Sequence, residues 1–196
     1  MRIAAIVLAA GRSARMAARH KLLQPLDGKP IVCHVAGTAL ASGADPVIVV
    51  TGSEAPRIAE ALGDLSVTIA NNAAFEQGLS TSLRAGLAAL PPGIDGAIML
   101  LGDMPRVGIS VLRALMAAFG SAGDICVPVN EGRTGNPILW GRRYFHEMMR
   151  ITGDFGAKPL LARHKARMIE VEVGSSGIFA DVDTAEDLAR LKGGAE

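Results

Sequence analysis

Short apolar runs alternate along this chain with longer segments in which apolar residues recur every three or four positions. The runs are typical of strands buried in a sheet, and the periodic segments are typical of helices that pack against it. Strands are predicted at residues 3–8, 46–50, 67–69, 97–101, 125–129, 138–140 and 168–173. Helices are predicted at residues 31–42, 54–62, 108–119, 142–151 and 157–164, in a segment that carries Leu83, Leu87 and Leu90, and after Thr184.

The alternation of strands with helices predicts a three-layer α/β fold around a Rossmann-like, mostly parallel sheet. The sheet is expected to be mixed, and two segments indicate where its regular pattern changes. Proline cannot donate to a strand ladder, so Pro128 predicts an edge position or a bulge for its strand. Residues 168–173 alternate apolar and polar positions, which favours an edge or antiparallel strand. The polar, glycine-rich residues 130–137 predict a hairpin or flap.

The composition restricts the class of protein. A length of 196 residues predicts one domain, residues 1–196. A net charge of +1 argues against nucleic acid as a partner. Cys33 and Cys126 form no CxxC pair and the four histidines show no metal-ligand spacing, so neither a zinc site nor a disulfide framework is indicated. No apolar stretch has the length of a signal peptide or a membrane span, so we expect a cytoplasmic protein without a membrane partner.

A glycine-rich segment follows the first predicted strand and has the sequence L-A-A-G-R-S-A-R-M at residues 8–16. Its small residues let the backbone approach a ligand, and successive N–H groups in such a turn can form an anion-binding concavity. Arg12, Arg15 and Lys21 add three cations within ten residues. These features predict a triphosphate site at the carboxyl end of the first strand, where open α/β sheets bind ligands. The alternative is a tight turn with solvated charges, since a single glycine turn is a weak signal.

Two further segments point to the same crevice. Asp103 comes at the end of the clearest central strand and, beside a phosphate site, is well placed to hold a metal ion; the alternative is an ordinary turn residue. Ser80 or Thr81 is predicted to cap the next helix, and a helix N-terminus is itself rich in donors for a ligand. The sequence contains no G-x-S-x-G, and the order of its residues suggests no Cys/His or Ser/His pair, so it offers no candidate for covalent nucleophilic catalysis. The P-loop and G-x-G-x-x-G patterns of nucleotide-binding proteins are also absent.

Four motifs, in order, resemble the MobA-like NTP transferases, and most of all their molybdenum cofactor cytidylyltransferase branch. The motifs are L-A-A-G-R-S-A-R-M at 8–16 with K-L-L at 21–23, L-G-D-M-P at 101–105, R-T-G-N-P at 133–137 and D-V-D-T-A-E-D-L at 181–188. The resemblance covers essentially the whole chain. The sequence departs from the family's usual pattern where Ala17 replaces glycine, Arg19 replaces proline, Asn136 replaces histidine and Ala185 replaces proline.

The resemblance implies a fold of the nucleotide-diphospho-sugar transferase type and assigns roles to residues of these motifs. The residues implied to bind the nucleotide are Leu8, Ala9, Ala10, Gly11, Arg12, Ser13, Arg15, Lys21, Gly78, Ser82 and Gly102. The residues implied to act in catalysis are Arg15, Lys21 and Asp103.

The resemblance also implies a metal ion and an acceptor site. Mg²⁺ is usually held by one or two carboxylates together with substrate phosphates, so it is expected on Asp103 and on an aspartate of the last motif. Of the two aspartates in that motif, Asp183 is preferred to Asp181. The residues implied to contact the acceptor are Gly135, Asn136 and Asp154. We expect Asn136 to orient the acceptor without transferring a proton; the alternative is that its side chain only caps its own turn.

The implied reaction transfers CMP from CTP to the phosphate of molybdopterin and releases pyrophosphate. The attacking phosphate is already an anion, so positioning and charge stabilisation are expected to carry the catalysis. A molybdoenzyme or its chaperone is an expected recipient of the product. Alternatives within the class are GTP, another NTP or another phosphorylated acceptor. Outside it are a non-catalytic nucleotide sensor and a nicotinamide-dependent oxidoreductase, an activity reported for a relative of this family; the missing G-x-G-x-x-G argues against the latter.

Overall fold

A computed structural model describes residues 1–12 and 20–193, and in these parts the chain forms ten β-strands and seven α-helices. The strands are β1 (Ile3–Ala9), β2 (Pro25–Leu26), β3 (Lys29–Pro30), β4 (Val47–Thr51), β5 (Thr68–Asn71), β6 (Gly96–Leu101), β7 (Ile125–Asn130), β8 (Arg133–Thr134), β9 (Ile138–Gly141) and β10 (Met168–Glu172). The helices are α1 (Ile31–Ser42), α2 (Ala55–Leu62), α3 (Leu79–Ala88), α4 (Ile109–Ala118), α5 (Phe145–Met148), α6 (Lys158–Arg163) and α7 (Ala185–Gly193).

Eight strands form one sheet in the order β10-β7-β9-β6-β1-β4-β5, with β8 paired to β7. Strands β5, β4, β1 and β6 run parallel, whereas β9 runs antiparallel to both β6 and β7. This arrangement confirms the predicted mostly parallel, mixed sheet. The register places Leu8 beside both Val50 and Leu101, so the carboxyl ends of β4, β1 and β6 meet at one edge.

The side chains of β1 alternate between two apolar layers, as expected for a strand buried on both faces. Val7 and Ala9 lie in a layer that includes residues of α1, α2, α4 and α7. Ile6 and Leu8 lie in the other layer, with residues of α3, α5 and α6 and with Trp140. Helices therefore cover both faces of the sheet, which confirms the three-layer α/β prediction. No helix in the described parts is long and apolar enough to cross a membrane.

Of the two alternatives predicted for the strand of Pro128, an edge position or a bulge, the edge position is wrong, because β7 has β10 on one side and β8 and β9 on the other. Pro128 lies where the pairing changes from β9, at Cys126, to β8, at Val129, and its carbonyl accepts a hydrogen bond from Gly135 N–H. The ladder on the β8–β9 side is thus interrupted next to the residue that lacks an N–H, whereas pairing with β10 continues through Pro128. The predicted hairpin is confirmed by the β7–β8 pair. Strand β10 is an edge strand, as predicted, but it is parallel to β7 rather than antiparallel.

The helix predicted at residues 142–151 is wrong in its extent. The segment forms a 3₁₀ turn, Arg142–Tyr144, followed by the short α5. Tertiary contacts explain the difference. The Tyr144 hydroxyl donates to the Gly123 carbonyl, and the carbonyl of Ile151 accepts a hydrogen bond from an arginine of α3 instead of extending the helix.

Candidate active site

The carboxyl ends of β1 and β6 open into a cavity of about 460 Å³. The two ends are held together because Gly102 N–H donates to the Leu8 carbonyl over 3.0 Å. Ala9 does not line this cavity but packs in the core layer on the other face of the sheet from Leu8. Ser13 and Arg15 lie outside the described residues. The predicted nucleotide-binding residues that line the cavity are Leu8, Ala10, Gly11, Arg12, Lys21, Gly78 and Ser82.

Lys21 lies in this cavity between two carboxylates. Its Nζ is 2.5 Å from Asp103 Oδ2 and 2.9 Å from Asp183 Oδ1. The side chains of Lys21 and Asp103 are only 16% and 19% exposed, and that of Asp183 is 36% exposed. Burial by itself lowers the pKa of Lys21, but the attraction of Asp103 and hydrogen bonds to both carboxylates outweigh it and raise that pKa above its usual value. Lys21 is therefore a stable cation at neutral pH.

The fold brings the two carboxylates together from distant parts of the chain. Asp103 follows β6, and its carbonyl accepts a hydrogen bond from Val182 N–H. The N–H of Asp183 donates to the Asp187 carboxylate, while the Thr184 hydroxyl accepts from Asp187 N–H, which confirms the predicted cap of α7. Within the described residues, Asp103 Oδ1 is buried and has no hydrogen-bond partner. A buried carboxylate oxygen without a partner is unfavourable, so this atom is suited to bind a cation.

His20 contacts the described part of the glycine-rich segment. Its Nε2 lies 2.8 Å from the Gly11 carbonyl oxygen and, because a carbonyl only accepts, this nitrogen carries the proton. Burial lowers the pKa of His20, and the hydrogen bond to Gly11 opposes that effect only in part. The neutral ring therefore holds the Gly11 carbonyl. Its sequence position beside Lys21 gave no sign of this contact.

The N-terminus of α3 lies at the same cavity. The helix begins at Leu79 after Gly78, so the predicted cap at Ser80 or Thr81 is wrong. Its partner comes from a distant loop, because Leu79 N–H donates to Asp154 Oδ1 over 3.1 Å. Gly78 has φ +103°, and a Cβ there would lie 2.6 Å from the same Asp154 oxygen. Glycine is therefore required at this position.

Asn72 fixes the part of α3 that faces the cavity. Its Nδ2 donates to Ser82 Oγ and to Thr81 Oγ1, and its backbone N–H donates to the Thr51 carbonyl. Asn72 is buried and connects the end of β4 to α3. Sequence reasoning missed this residue, because an asparagine after a strand is typical of an ordinary turn.

A second cavity, of about 260 Å³, adjoins the first. Its wall is mainly apolar and includes the buried Trp140 and the ring of Phe155, together with the polar residues Asn136 and Lys158. Phe155 is 73% exposed, an unusual state for a large apolar side chain. The residues that line both cavities are Leu8, Leu79, Leu101 and Asp154.

The residues predicted to contact an acceptor divide between this cavity and its support. Asn136 and Asp154 line the cavity, and Gly135 does not. Gly135 packs so closely that a Cβ would lie 2.6 Å from the Ile178 carbonyl oxygen, which accepts a hydrogen bond from Asn136 N–H. Among the described residues, no hydrogen bond is made by the Asn136 side chain. That finding argues against the alternative that this side chain caps its own turn.

Comparison with known proteins identifies the family. Residues 5–168 match the family described as the MobA-like NTP transferase domain. The chain belongs to this family. Among solved structures similar to this MobA-like chain, Rv0371c from Mycobacterium tuberculosis H37Rv is 30% identical, with a TM-score of 0.89 and 98% of each chain covered. A further structure, of Rv0371C in complex with manganese, is 28% identical, with a TM-score of 0.85 and 100% of each chain covered.

Two further relatives of the MobA-like chain are nucleotidyl transferase and GlmU proteins. A nucleotidyl transferase from Methanothermobacter thermautotroptrophicus is 26% identical, with a TM-score of 0.85, and covers 98% of this chain and 96% of its own. The bifunctional protein GlmU of Kineococcus radiotolerans is 31% identical over 180 residues, which are 90% of this chain and 35% of that protein. This chain therefore spans about a third of that curated relative. The fold is that of the nucleotide-diphospho-sugar transferases, as the resemblance implied.

Two carboxylates of the MobA-like chain lie together in the first cavity. No group of three or more His, Cys, Asp or Glu side chains that could hold a metal lies within residues 1–12 and 20–193. Asp103 and Asp183 nevertheless both contact the ammonium group of Lys21, whereas Asp181 is exposed. Two carboxylates and the unpartnered Asp103 Oδ1 fit a divalent ion that also binds substrate phosphates, as Mg²⁺ commonly does.

Proposed function

We propose that this chain is a Mg²⁺-dependent nucleotidyltransferase that transfers CMP from CTP to the phosphate of molybdopterin and releases pyrophosphate. The observation that carries the proposal is the cavity at the ends of β1 and β6, in which Lys21 joins Asp103 and Asp183. Membership of the MobA-like family supports an NTP as the donor. The four sequence motifs support CTP and molybdopterin as the particular substrates.

The chemistry requires charge neutralisation more than proton transfer. An oxygen of the acceptor phosphate forms a bond to the α-phosphorus of CTP, and the bond from that phosphorus to the pyrophosphate oxygen breaks. Lys21, with Arg12 and Arg15, would neutralise the phosphates on which negative charge builds up. Asp103 and Asp183 would hold Mg²⁺, which supplies further positive charge at the leaving pyrophosphate.

The second cavity supports a flat acceptor with polar edges. The exposed aromatic ring of Phe155 suits a planar ring, and the Asn136 amide offers a donor and an acceptor at every accessible pH. Lys158 lies on the same wall and can neutralise an acceptor phosphate. Because four residues line both cavities, an acceptor in the second cavity would meet a nucleotide in the first at their shared wall.

Pyrophosphate release from the full chain tests this function. The assay uses CTP, GTP, ATP or UTP with Mg²⁺ and either molybdopterin or a sugar 1-phosphate as the acceptor. We expect release only where CTP and molybdopterin are both present. Release with GTP or with the sugar phosphate at an equal rate would contradict the proposed substrates. No release with any pair would contradict nucleotidyl transfer itself.

A further inference from the structure

The ammonium group of Lys21 occupies the position between the two carboxylates that would hold the metal ion. Its Nζ lies within hydrogen-bond distance of Asp103 Oδ2 and of Asp183 Oδ1. An ordinary phosphate-binding lysine needs neither contact. These same contacts place one positive charge between the two carboxylates in the absence of any nucleotide.

We propose that Lys21 is an internal cation that keeps free metal out of the Asp103–Asp183 pair and so makes the site specific for metal delivered with a nucleotide. This inference rests on the proposed function, because it takes the two carboxylates as the metal ligands. A divalent ion and an ammonium group repel each other strongly at short range, so both cannot share this pair of carboxylates comfortably. Metal binding therefore requires Lys21 to leave.

A bound nucleotide would provide alternative anionic partners for Lys21. The lysine lines the same cavity as Gly11 and Arg12 in the glycine-rich segment, so a triphosphate bound there would offer its side chain new anionic partners. The largely buried Asp103 carboxylate needs a cation after Lys21 leaves, because removing one partner of a buried charge pair is strongly unfavourable. The metal ion therefore replaces the ammonium group between the carboxylates in a single exchange. The nucleotide phosphates bind both the metal ion and the displaced Lys21.

The unpartnered oxygen of Asp103 makes the exchange favourable. Lys21 satisfies Asp103 Oδ2 but leaves Oδ1 buried without a partner among the described residues. Free metal gains too little to displace the lysine, since the described residues offer no third side-chain carboxylate, histidine or cysteine at this place. Phosphate oxygens complete the ligand set, so the metal–nucleotide complex displaces Lys21 and free metal does not.

This role and simple phosphate binding predict opposite effects of removing the lysine. A lysine that only binds phosphate leaves the affinity for free metal unchanged when it is lost. A lysine that competes with the metal raises that affinity when it is lost. In both cases the affinity for the metal–nucleotide complex falls or stays level, so free metal is the discriminating ligand.

Titration of the full chain with Mn²⁺ alone, followed by calorimetry and by the electron paramagnetic resonance of free Mn²⁺, tests the proposal. Lys21→Met should bind Mn²⁺ about tenfold or more tightly than the wild type, because a like charge has been removed from the ligands. Lys21→Gln, which keeps a hydrogen-bond donor, should change the affinity in the same direction and guards against misfolding of the first variant. The exposed Lys29 provides the matched control, and Lys29→Met should behave as the wild type.

A second titration separates failure of this inference from failure of the proposed function. Adding a non-hydrolysable CTP analogue should raise the Mn²⁺ affinity of the wild type, and combining Lys21→Met with Asp103→Asn should abolish the gain seen without nucleotide. Unchanged or weaker binding of free Mn²⁺ by both Lys21 variants, with nucleotide-dependent binding intact in the wild type, would overturn the inference alone. No Mn²⁺ binding by any protein, with or without the analogue, would overturn the metal site and the inference together.

Discussion

Substitution of Gly78 by alanine should disrupt the junction between the two cavities. Gly78 has φ +103° and ψ 170°, a conformation that residues with a Cβ rarely adopt. A Cβ at this position would also lie 2.6 Å from Asp154 Oδ1 and 2.9 Å from the Gly153 carbonyl. Either the start of α3 or the loop at Asp154 must move, and both form part of the candidate active site.

The size of the effect follows from two contributions. Backbone strain at such a position costs about 1–3 kcal/mol, and forcing a methyl group into a packed site typically costs about 1–3 kcal/mol more. We therefore expect Gly78→Ala to lower the free energy of unfolding by about 3 kcal/mol. Gly43, the C-cap of α1, provides a matched control, because its φ is +92° but a Cβ there would have no neighbour within 4 Å. Gly43→Ala should cost only about 1 kcal/mol.

Urea unfolding and nucleotide binding by calorimetry check both parts of this prediction. Gly78→Ala should lose more stability than Gly43→Ala and should also bind CTP more weakly, whereas Gly43→Ala should bind CTP as the wild type does. Equal losses of stability in the two variants, with unchanged CTP binding, would refute the close approach between Gly78 and Asp154.

Three other changes test further parts of the site. Asn136→Ala should raise the Michaelis constant for the acceptor and leave NTP binding nearly unchanged; a lower melting temperature with normal acceptor kinetics would contradict a role in orientation. Asp183→Asn should raise the Mg²⁺ concentration needed for activity more than Asp181→Asn does. The reverse order in a Mg²⁺ titration would show that Asp181, and not Asp183, is the metal ligand. Because burial lowers the pKa of His20, its contribution to stability is complete above about pH 6.5 and declines as the pH falls towards the folded value. Thermal melts of His20→Gln should therefore show less loss of stability between pH 7 and pH 5 than the wild type, and an equal loss would contradict this sign.

Much of the fold was predictable because the central strands are buried on both faces. Continuous apolar runs such as residues 46–50 and 97–101 leave few alternatives to a buried strand, and their spacing with helices indicates parallel pairing. Local patterns failed where a tertiary partner decided the outcome. The strand of Pro128 became internal because β10 and the β8–β9 segment flank it, and no local signal specifies those neighbours.

The candidate site shows the same division. Asp103 and Lys21 could be identified because each lies in a motif next to a strand end or glycine-rich segment. Asn72 and His20 could not, because each acts through a hydrogen bond to a residue that only the folded chain brings close. Asp154 was assigned to the acceptor by resemblance, but its contact with the N-terminus of α3 required the three-dimensional fold.

The most direct test of nucleotidyl transfer at this site is the rate of pyrophosphate release by Asp103→Asn with CTP, Mg²⁺ and molybdopterin. Asparagine preserves the shape of the side chain and removes its charge, so the fold should survive and circular dichroism melts provide the check. Asp181→Asn serves as the control, because it removes an exposed carboxylate two residues from Asp183 in the motif at residues 181–188. We predict that Asp103→Asn lowers the rate about a hundredfold or more, as loss of a charge-stabilising group does, and that Asp181→Asn remains within a few-fold of the wild type. A rate for Asp103→Asn within a few-fold of the wild type, in a folded protein, would contradict the site.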